Sequence, residues 1–415
     1  MTTTSPHMKR IRNKLAAAAT ACALLSAVGA LSACAAPASA APARNSSAAL
    51  QAALRLDLSR FLTARRTADH LSAVSLRVTF PGSKPSINLA AGTTRYDGGP
   101  PVSASALWQV GSNTKAFTAV LLLRLEAEGR LSISDPIGRW LPQYPAWRHI
   151  TIRQLLDMTS RIPDYTSQPA YLTAIEADPA TRFTAARLVA YAAGLPLGPA
   201  GYHYTNTDYL LAQMIIEKVS RGSYAEQLTK RITGPLRLRS TCLAPYTCPR
   251  SAAAAMPAGY FDVAGAPASV LGQVVPPLAL TWAQGAGGIV SSLADMTTWE
   301  RALYQGEELP ARQQHQLESL VSQATGKPIP RTTLADPAGY GLGVAQETTR
   351  QTGTFWYYQG QTLGNRVLDL YFPRSGMIFV LAVNSAVNLA TDNDLTVLAF
   401  SVYQTLQEAG AVHTG

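Results

Sequence analysis

Ser112 and Lys115 are spaced as a nucleophile and its base would be at the start of a helix. Residues 111–115 read Gly-Ser-Asn-Thr-Lys, and the apolar run 117–128 continues them. Residues three apart on a helix share a face, so the amine would reach the hydroxyl. A serine hydroxyl needs a base to attack, and a helix N-terminus and partial burial leave a lysine amine partly neutral. The pair therefore predicts an acylated serine; a serine N-cap beside a solvated lysine is the alternative.

Tyr204 and Asn206 carry two further groups that such a reaction uses. They lie in a Gly-Tyr-His-Tyr-Thr-Asn segment ahead of a second apolar run, 209–219. A loop at that junction can present the phenol for proton relay and the carboxamide to hold a substrate amide. Taken alone, the segment could also be an asparagine N-cap beside core tyrosines. His203 is predicted to be a packed or surface residue, because side chains alternate along an extended segment and Tyr204 takes the other face.

Tyr358, Gly360 and Gln361 form a third candidate element at the end of a strand-like run, 354–358. The glycine would let the backbone approach a bound acyl group closely. The amide of Gln361, together with that of Ser112, could donate to an oxyanion. By itself the segment is a strand end, so its meaning depends on the other two elements.

Other catalytic chemistries have no counterpart in the sequence. The chain contains no Gly-x-Ser-x-Gly elbow, no His-Glu-x-x-His motif and no glycine-rich phosphate loop after a strand. Cys242 and Cys248 have no His or further Cys at metal-ligand spacing, so they predict a disulfide and no metal site. The basic excess comes without Lys/Arg runs, which argues against nucleic acid as a partner.

The N-terminus predicts export. Residues 1–40 combine four basic side chains with an apolar run, 15–31, and are predicted to be a signal peptide, followed by a tether at 41–47. A lipoprotein signal ending at residue 33 is the alternative, with Cys34 as a lipid anchor. Loss of residues 1–40 would lower the formal net charge from +10 to +6, because it removes four basic and no acidic side chains. The mature protein is expected to be secreted or held at the cell envelope.

The elements that would position these residues predict an α+β fold. A helix is expected at 48–66 and a hairpin at 73–91, helical runs dominate up to residue 284, and strand-like runs dominate afterwards until a closing helix at 395–407. Strands at both ends around a helical middle predict an antiparallel sheet flanked by helices with an inserted all-helical domain. The sheet domain would comprise 48–110 and 285–412, and the helical domain, 111–284, would carry the nucleophile.

With the three elements in this order, the chain resembles the serine β-lactamase-like family, which joins class C β-lactamases, D-alanyl-D-alanine carboxypeptidases, other penicillin-binding proteins and related esterases. Further segments in family order extend the likeness over roughly residues 70–400, namely Gly129-Arg130-Leu131, 150–156, Ala286-Gly287-Gly288 and Tyr340-Gly341-Leu342-Gly343. The resemblance implies an acyl-enzyme at Ser112, proton transfers shared by Lys115 and Tyr204, and a substrate amide held by Asn206. It also implies an oxyanion hole at the amides of Ser112 and Gln361, and no metal or organic cofactor.

Two positions depart from the family pattern. Tyr358 stands where the peptidases and lactamases usually have Lys or His, and a phenol supplies no positive charge near neutral pH. Arg161 stands where the family usually has Gly after Thr-Ser. These departures motivate the hypothesis that Arg161 or Arg366 replaces the missing cation.

The function predicted first is a D-alanyl-D-alanine carboxypeptidase-like serine hydrolase acting on cell-wall-type peptides. An esterase or amidase and a class C-type β-lactamase of the same fold remain open, since small changes around one scaffold redirect the acyl donor. A catalytically silent protein that binds peptidoglycan or a partner is the alternative of another class. The expected substrate is a small peptide, ester or β-lactam, and no partner protein is implied.

Overall fold

The computed structural model describes residues 47–263 and 271–412. The predicted signal peptide, the Cys34 anchor and residues 41–46 of the tether lie outside these ranges. Ser47, predicted to end the tether, is instead the first residue of a helix. None of the helices within the described ranges has the length and apolarity needed to span a bilayer.

Within the described residues, nine strands form one antiparallel sheet that joins residues 73–92 to residues 320–383. The strands are β1 (Ala73–Thr79), β2 (Ile87–Gly92), β8 (Leu320–Ser322), β9 (Pro328–Ile329), β10 (Ala338–Tyr340), β11 (Ala345–Thr349), β12 (Gly353–Gln361), β13 (Arg366–Phe372) and β14 (Met377–Val383). Their order in the sheet is β2-β1-β14-β13-β12-β11-β10-β8-β9, and β1 pairs directly with β14, so Val74 lies opposite Val383.

The other six strands of the described residues form two three-stranded sheets. One joins β3 (Leu107–Gln109), β7 (Ile289–Ser292) and β4 (Cys242–Leu243); the other joins β15 (Ser385–Ala386), β5 (Gly259–Phe261) and β6 (Gln273–Val275). Three of these strands lie within 111–284, which was predicted to be all-helical. They are two or three residues long, too short to show an alternating pattern in the sequence.

Eleven α-helices lie within the described residues. They are α1 (Ser47–Arg65), α2 (Thr114–Ala127), α3 (Ile152–Leu156), α4 (Pro169–Ala177), α5 (Ala185–Ala190), α6 (Asn206–Ser220), α7 (Tyr224–Leu228), α8 (Gln284–Gly287), α9 (Leu293–Tyr304), α10 (Ala311–Leu317) and α11 (Asp394–Glu408). Seven of them, α2 to α8, fall between residues 111 and 287, as the helical middle of the sequence predicts. The division into two domains stays a prediction.

Helices cover both faces of the sheet. Tyr371 stacks on Tyr304 of α9 with ring centroids 5.0 Å apart, whereas the next residue, Phe372, contacts Tyr403 of α11 at 4.9 Å. Successive side chains of a strand point to opposite faces, so α9 and α11 lie on opposite sides of β13. All seven residues of β13 are buried, as expected for a strand covered on both faces.

A turn separates two short strands of the large sheet. β10 ends at Tyr340 and β11 begins at Ala345, so residues 341–344 continue neither strand. Gly343 between them has φ +78, a left-handed conformation that interrupts the strand. A Cβ at Gly343 would also lie 2.8 Å from the carbonyl oxygen of Lys115, so this turn packs against the backbone of α2.

Candidate active site

Ser112 lies in a single 3₁₀ turn, Gly111–Asn113, and α2 begins at Thr114. The helix therefore starts two residues later than predicted, but the turn keeps the same spacing. Lys115 Nζ donates to Ser112 Oγ at 3.1 Å, and the lysine is fully buried. The alternative of a serine N-cap beside a solvated lysine is wrong.

Lys115 is held by two acceptors besides the serine. Its Nζ donates to Asn206 Oδ1 at 2.8 Å and to the carbonyl oxygen of Ala286 at 2.8 Å. The amine also lies 4.8 Å from the centroid of the Tyr204 ring. Groups from α2, α6 and α8 thus converge on one amine, which fixes its position beside Ser112.

Tyr204 OH donates to Ser112 Oγ at 2.6 Å. The serine oxygen therefore accepts hydrogen bonds from both the phenol and the amine, and it lies within reach of two groups that can exchange protons with it. The structure brings Ser112, Lys115, Tyr204 and Asn206 into direct contact, although 91 positions separate the lysine from the asparagine.

Asn206 is the first residue of α6, and Thr205 is the N-cap. The Thr205 hydroxyl accepts from the backbone N–H of Thr207 at 3.3 Å. The alternative of an asparagine N-cap is therefore wrong, and the carboxamide of Asn206 is available for other contacts. Its Nδ2 faces Asp164 Oδ2 and Thr166 Oγ1, each at 3.4 Å.

Asp164 is a site residue that the sequence analysis missed. Its carboxylate accepts from the backbone N–H of Asn206 at 3.0 Å and from the Thr166 hydroxyl. Burial raises the pKa of Asp164, while the bonds from Thr166 and Asn206 and the charge of Lys115 act to lower it. The local signal was Pro163-Asp164 followed by Thr166, which is typical of a capped turn, and Asp164 does cap the turn Tyr165–Ser167.

The end of β12 lies against the turn that carries Ser112. A Cβ at Gly360 would lie 1.9 Å from the carbonyl oxygen of Val110 and 2.8 Å from the amide nitrogen of Ser112. A Cβ at Gly111 would in turn lie 2.8 Å from the amide nitrogen of Gln361. Only glycines permit this approach, which brings the two predicted oxyanion donors to neighbouring positions. The side chain of Gln361 points elsewhere, donating to the carbonyl oxygen of Val387 at 2.9 Å.

Tyr358 lies behind the cleft. It is buried, and its hydroxyl shares a 2.7 Å hydrogen bond with that of Tyr340. Tyr358 is not one of the residues that line the cleft, whereas Gln359 and Gln361 are. Its predicted contact with substrate stays a prediction, and its phenol supplies no charge to the site.

Arg366 does not replace the missing cation. It is fully buried and pairs with Asp69 and Asp394, and its Nε donates to the carbonyl oxygen of Ser385 at 2.9 Å. Arg161 is exposed, its Nε donates to the carbonyl oxygen of Gly198 at 2.7 Å, and it does not line the cleft. The hypothesis fails for Arg366, because two buried carboxylates hold its charge and neither they nor Arg366 line the cleft.

The cleft beside Ser112 is mainly apolar and aromatic. Its polar lining includes Ser112, Tyr204, Asn206, Thr166, Thr362 and two glutamines. Its larger apolar side chains include Tyr165, Tyr171, Leu172, Ile175, Phe261 and Trp282. None of the described residues that line it carries a charge. Sequence patterns could not reveal this lining, because it comes from separate segments spread between residues 112 and 389.

Cys242 and Cys248 form a disulfide that closes a short loop. The predicted pairing is therefore present in the structure, and Cys242 lies in β4, which pairs with β7 in one of the small sheets. Within residues 47–263 and 271–412, no group of three or more His, Cys, Asp or Glu side chains is arranged to hold a metal ion.

Comparison with protein families identifies one match over most of the chain. A family model described as Beta-lactamase matches residues 58–404. Penicillin-binding protein 4* of Bacillus subtilis (strain 168) is 33% identical over 147 residues, which cover 34% of this chain and 31% of that protein. Protein flp of Staphylococcus aureus (strain MW2) is 30% identical over 179 residues, 41% of this chain and 35% of that protein. The chain matches about a third of the length of these curated relatives.

Solved structures resemble the chain over a larger share of its length. A D-stereospecific amidohydrolase from Streptomyces sp. is 27% identical with a TM-score of 0.69, covering 85% of this chain and 97% of that one. A D-amino acid amidase from Ochrobactrum anthropi SV3, complexed with D-phenylalanine, is 23% identical with a TM-score of 0.74, covering 87% and 99%. A penicillin-binding protein from Bacillus halodurans is 19% identical with a TM-score of 0.64, covering 85% and 99%. The likeness to the D-amino acid amidase and to the penicillin-binding protein concerns the fold alone. The predicted α+β class is confirmed.

Proposed function

The chain belongs to the Beta-lactamase family, and from that premise we propose that it is an exported serine hydrolase that works through an acyl-enzyme on small amide, ester or peptide substrates. The observation that carries the proposal is the pair of hydrogen bonds that Ser112 Oγ accepts, from Lys115 Nζ at 3.1 Å and from Tyr204 OH at 2.6 Å. A nucleophile bonded to two proton carriers is the arrangement that nucleophilic catalysis requires.

Acylation would follow from this geometry. Ser112 Oγ attacks the carbonyl carbon of the substrate, and its proton passes to Lys115 or Tyr204. The amides of Ser112 and Gln361 stabilise the oxyanion that forms. The phenol and amine return the proton to the leaving nitrogen or oxygen as its bond to the carbonyl carbon breaks. A water molecule then attacks the acyl-enzyme, with the same groups reversing their roles.

Asn206 and Asp164 would position these proton carriers. Asn206 Oδ1 accepts from Lys115, and its Nδ2 is held by two long hydrogen bonds, which a substrate carbonyl oxygen could replace. The carboxylate of Asp164 fixes the backbone of Asn206 and offsets positive charge on Lys115 as the amine takes the proton.

The lining of the cleft favours amides or esters as the substrates that are hydrolysed. The structure that is 27% identical is that of a D-stereospecific amidohydrolase, and the described lining contains no cation to bind a carboxylate. Carboxypeptidase-like action on D-alanyl-D-alanine peptides is the second candidate, supported by the likeness to Penicillin-binding protein 4*. A β-lactamase activity rests on the family alone. Export is supported by the predicted leader and by the disulfide.

Active-site labelling tests the proposal. The mature protein is incubated with a fluorophosphonate probe and, separately, with a fluorescent penicillin, and Ser112→Ala serves as the control. Labelling that disappears in the alanine variant is expected at least with the fluorophosphonate. Stable penicillin labelling would favour the carboxypeptidase candidate. Labelling by neither probe would overturn the proposal in favour of a silent binding protein.

A further inference from the structure

Three basic residues lie close in sequence to residues that line the cleft, and each of them is hydrogen-bonded or ion-paired to groups of the protein. They are Lys115, Arg161 and Arg366. The amine of Lys115 has three hydrogen-bond acceptors and no exposed surface. Arg366 is neutralised by Asp69 and Asp394, and Arg161 donates to a backbone carbonyl away from the cleft. A carboxylate entering the cleft would therefore lose hydration without gaining an ion pair from the described lining.

A buried carboxylate beside Asn206 also opposes an added negative charge. The Asp164 carboxylate accepts from the backbone N–H of Asn206, and its charge would compensate that of Lys115 once the amine is protonated. Tyr358 supplies no positive charge, because its phenol lies behind the cleft and is bound to Tyr340. The described lining thus offers no uncompensated positive charge, and a carboxylate on the substrate would add negative charge to the site.

The apolar part of the cleft is built to receive a hydrophobic side chain. Tyr165 and Tyr171 pack edge to face with centroids 5.1 Å apart, and Tyr165 OH donates to the carbonyl oxygen of Trp282 at 2.5 Å. These contacts fix the rings before a ligand binds, which reduces the entropy lost on binding. Leu172 and Ile175 extend the same wall along one face of α4.

We propose that the site selects acyl donors that carry an apolar or aromatic side chain and a leaving group without a carboxylate. The inference rests on the proposed function and names its substrate class: N-acylated amino acid amides and esters of hydrophobic residues. Free peptide acids are the class that it disfavours.

A matched substrate pair tests this selectivity. N-acetyl-D-Phe-D-Ala and N-acetyl-D-Phe-D-Ala-NH2 differ only in the terminal carboxylate, and the L,L pair and the corresponding pair of lactate esters are assayed beside them. Release of the N-acetylphenylalanine product is followed with the parent enzyme and with Ser112→Ala. We expect kcat/KM to be at least about tenfold higher for the neutral member of each pair that is cleaved, the ratio that corresponds to 1.4 kcal/mol.

The outcomes separate the two proposals. Equal or faster Ser112-dependent cleavage of the acids would overturn the selectivity and leave the serine hydrolase standing. An enzyme that labels with fluorophosphonate but cleaves no member of any pair would also overturn the selectivity, because the proposed class would not be its substrate. Absence of both labelling and cleavage would overturn the proposed function and the inference with it.

A cation placed in the lining provides an independent test. Leu363 is partly buried and lines the cleft, so Leu363→Arg adds a positive charge at its edge, and Leu363→Gln is the matched neutral control. The arginine variant should raise the ratio of kcat/KM for the acid over that for the amide by about fivefold or more, whereas the glutamine variant should leave that ratio near the parent value. The same ratio in both variants would contradict the inference.

Discussion

Lys115 is the residue on which the proposed chemistry depends most. It is a fully buried amine that contacts the nucleophile, the carboxamide of Asn206 and a backbone carbonyl from α8. Burial of a charge is costly unless it is paired and hydrogen-bonded, and Asp164 and the three acceptors supply that compensation. Its position is therefore explained by contacts from three separate segments.

Lys115→Met should nearly abolish acylation while the protein stays folded. Methionine fills a similar volume but cannot accept a proton, so kcat/KM for an activated ester should fall by about 10³-fold or more, within the range for loss of a general base. The rate of fluorophosphonate labelling and the circular dichroism spectrum measure the two effects. Lys218→Met, an exposed lysine on α6, is the control. Parent-like activity of the Lys115 variant would exclude the proposed base.

Asp164→Asn should lower activity without unfolding the protein. Asparagine can still accept from the backbone of Asn206 and cap the turn, but the negative charge that favours protonated Lys115 is lost. We expect kcat/KM to fall by roughly 10- to 100-fold, a cost of about 1.4–2.7 kcal/mol, with little change in melting temperature. Asp178→Asn, at an exposed acid, is the control. An unchanged kcat/KM would mean that Asp164 caps the turn Tyr165–Ser167 and has no effect on the reaction through Lys115.

At the scale of elements, the site is the junction of the turn before α2, the start of α6, the turn at α8 and the end of β12. Each of these elements begins or ends at residues whose side chains or amides contribute to the site. Gly111, with φ +54, and Gly360 allow β12 to approach the Ser112 turn at backbone distance. The amides of Ser112 and Gln361, the proposed oxyanion donors, are thus positioned by main-chain packing, which local sequence determines only by supplying glycine.

Gly360→Ala should disrupt this junction. The added methyl would collide with the carbonyl oxygen of Val110, which lies 1.9 Å from the position of the new Cβ. We expect a loss of about 1–3 kcal/mol in unfolding free energy and a fall of roughly 10²-fold or more in kcat, as for removal of an oxyanion donor. Urea unfolding and ester hydrolysis measure these quantities. Gly198→Ala, where the nearest atom lies at 3.5 Å, should change neither.

At the scale of the whole molecule, a buried ion cluster ties the two ends of the chain to the sheet. Arg366 on β13 pairs with Asp69, which follows α1, and with Asp394, the first residue of α11. Arg65 of α1 also pairs with Asp69 at 2.6 Å. Burial raises the pKa of Asp69 to about 6, so this carboxylate depends on its arginines to remain charged. The cluster stabilises the packing of both terminal helices on the sheet.

Arg366→Leu should therefore destabilise the fold without changing substrate preference. Removal of one partner from a buried ion pair costs about 3–5 kcal/mol, because the carboxylates that remain are left unpaired. Calorimetry should show the loss, and the triple variant with Asp69→Asn and Asp394→Asn should recover part of it. The ratio of kcat/KM for acid and amide substrates should stay at the parent value. A change in that ratio would contradict the conclusion that Arg366 does not bind the substrate carboxylate.

The sequence by itself determined the class of the fold and the choice of Ser112 as the proposed nucleophile. Ser112 and Lys115 are close because of helical spacing, and Tyr204, Asn206 and Gly360 were recognisable because their residue types stand at predicted element ends. The alternation of β1 and the helical runs of the middle were equally local signals. These features depend on neighbours within a few residues, so they could be predicted before any tertiary contact was known.

Only the tertiary structure decided which long-range partners complete the site. Asp164 meets Asn206, and the carbonyl of Ala286 meets the amine of Lys115, through packing between segments 42 to 171 positions apart. The burial of Tyr358 and the pairing of Arg366 with Asp69 depend in the same way on sheet register. The local sequence does not specify which partner a charged group or a phenol will contact. The contacts that neutralise or bury it form only when distant segments pack together in the fold.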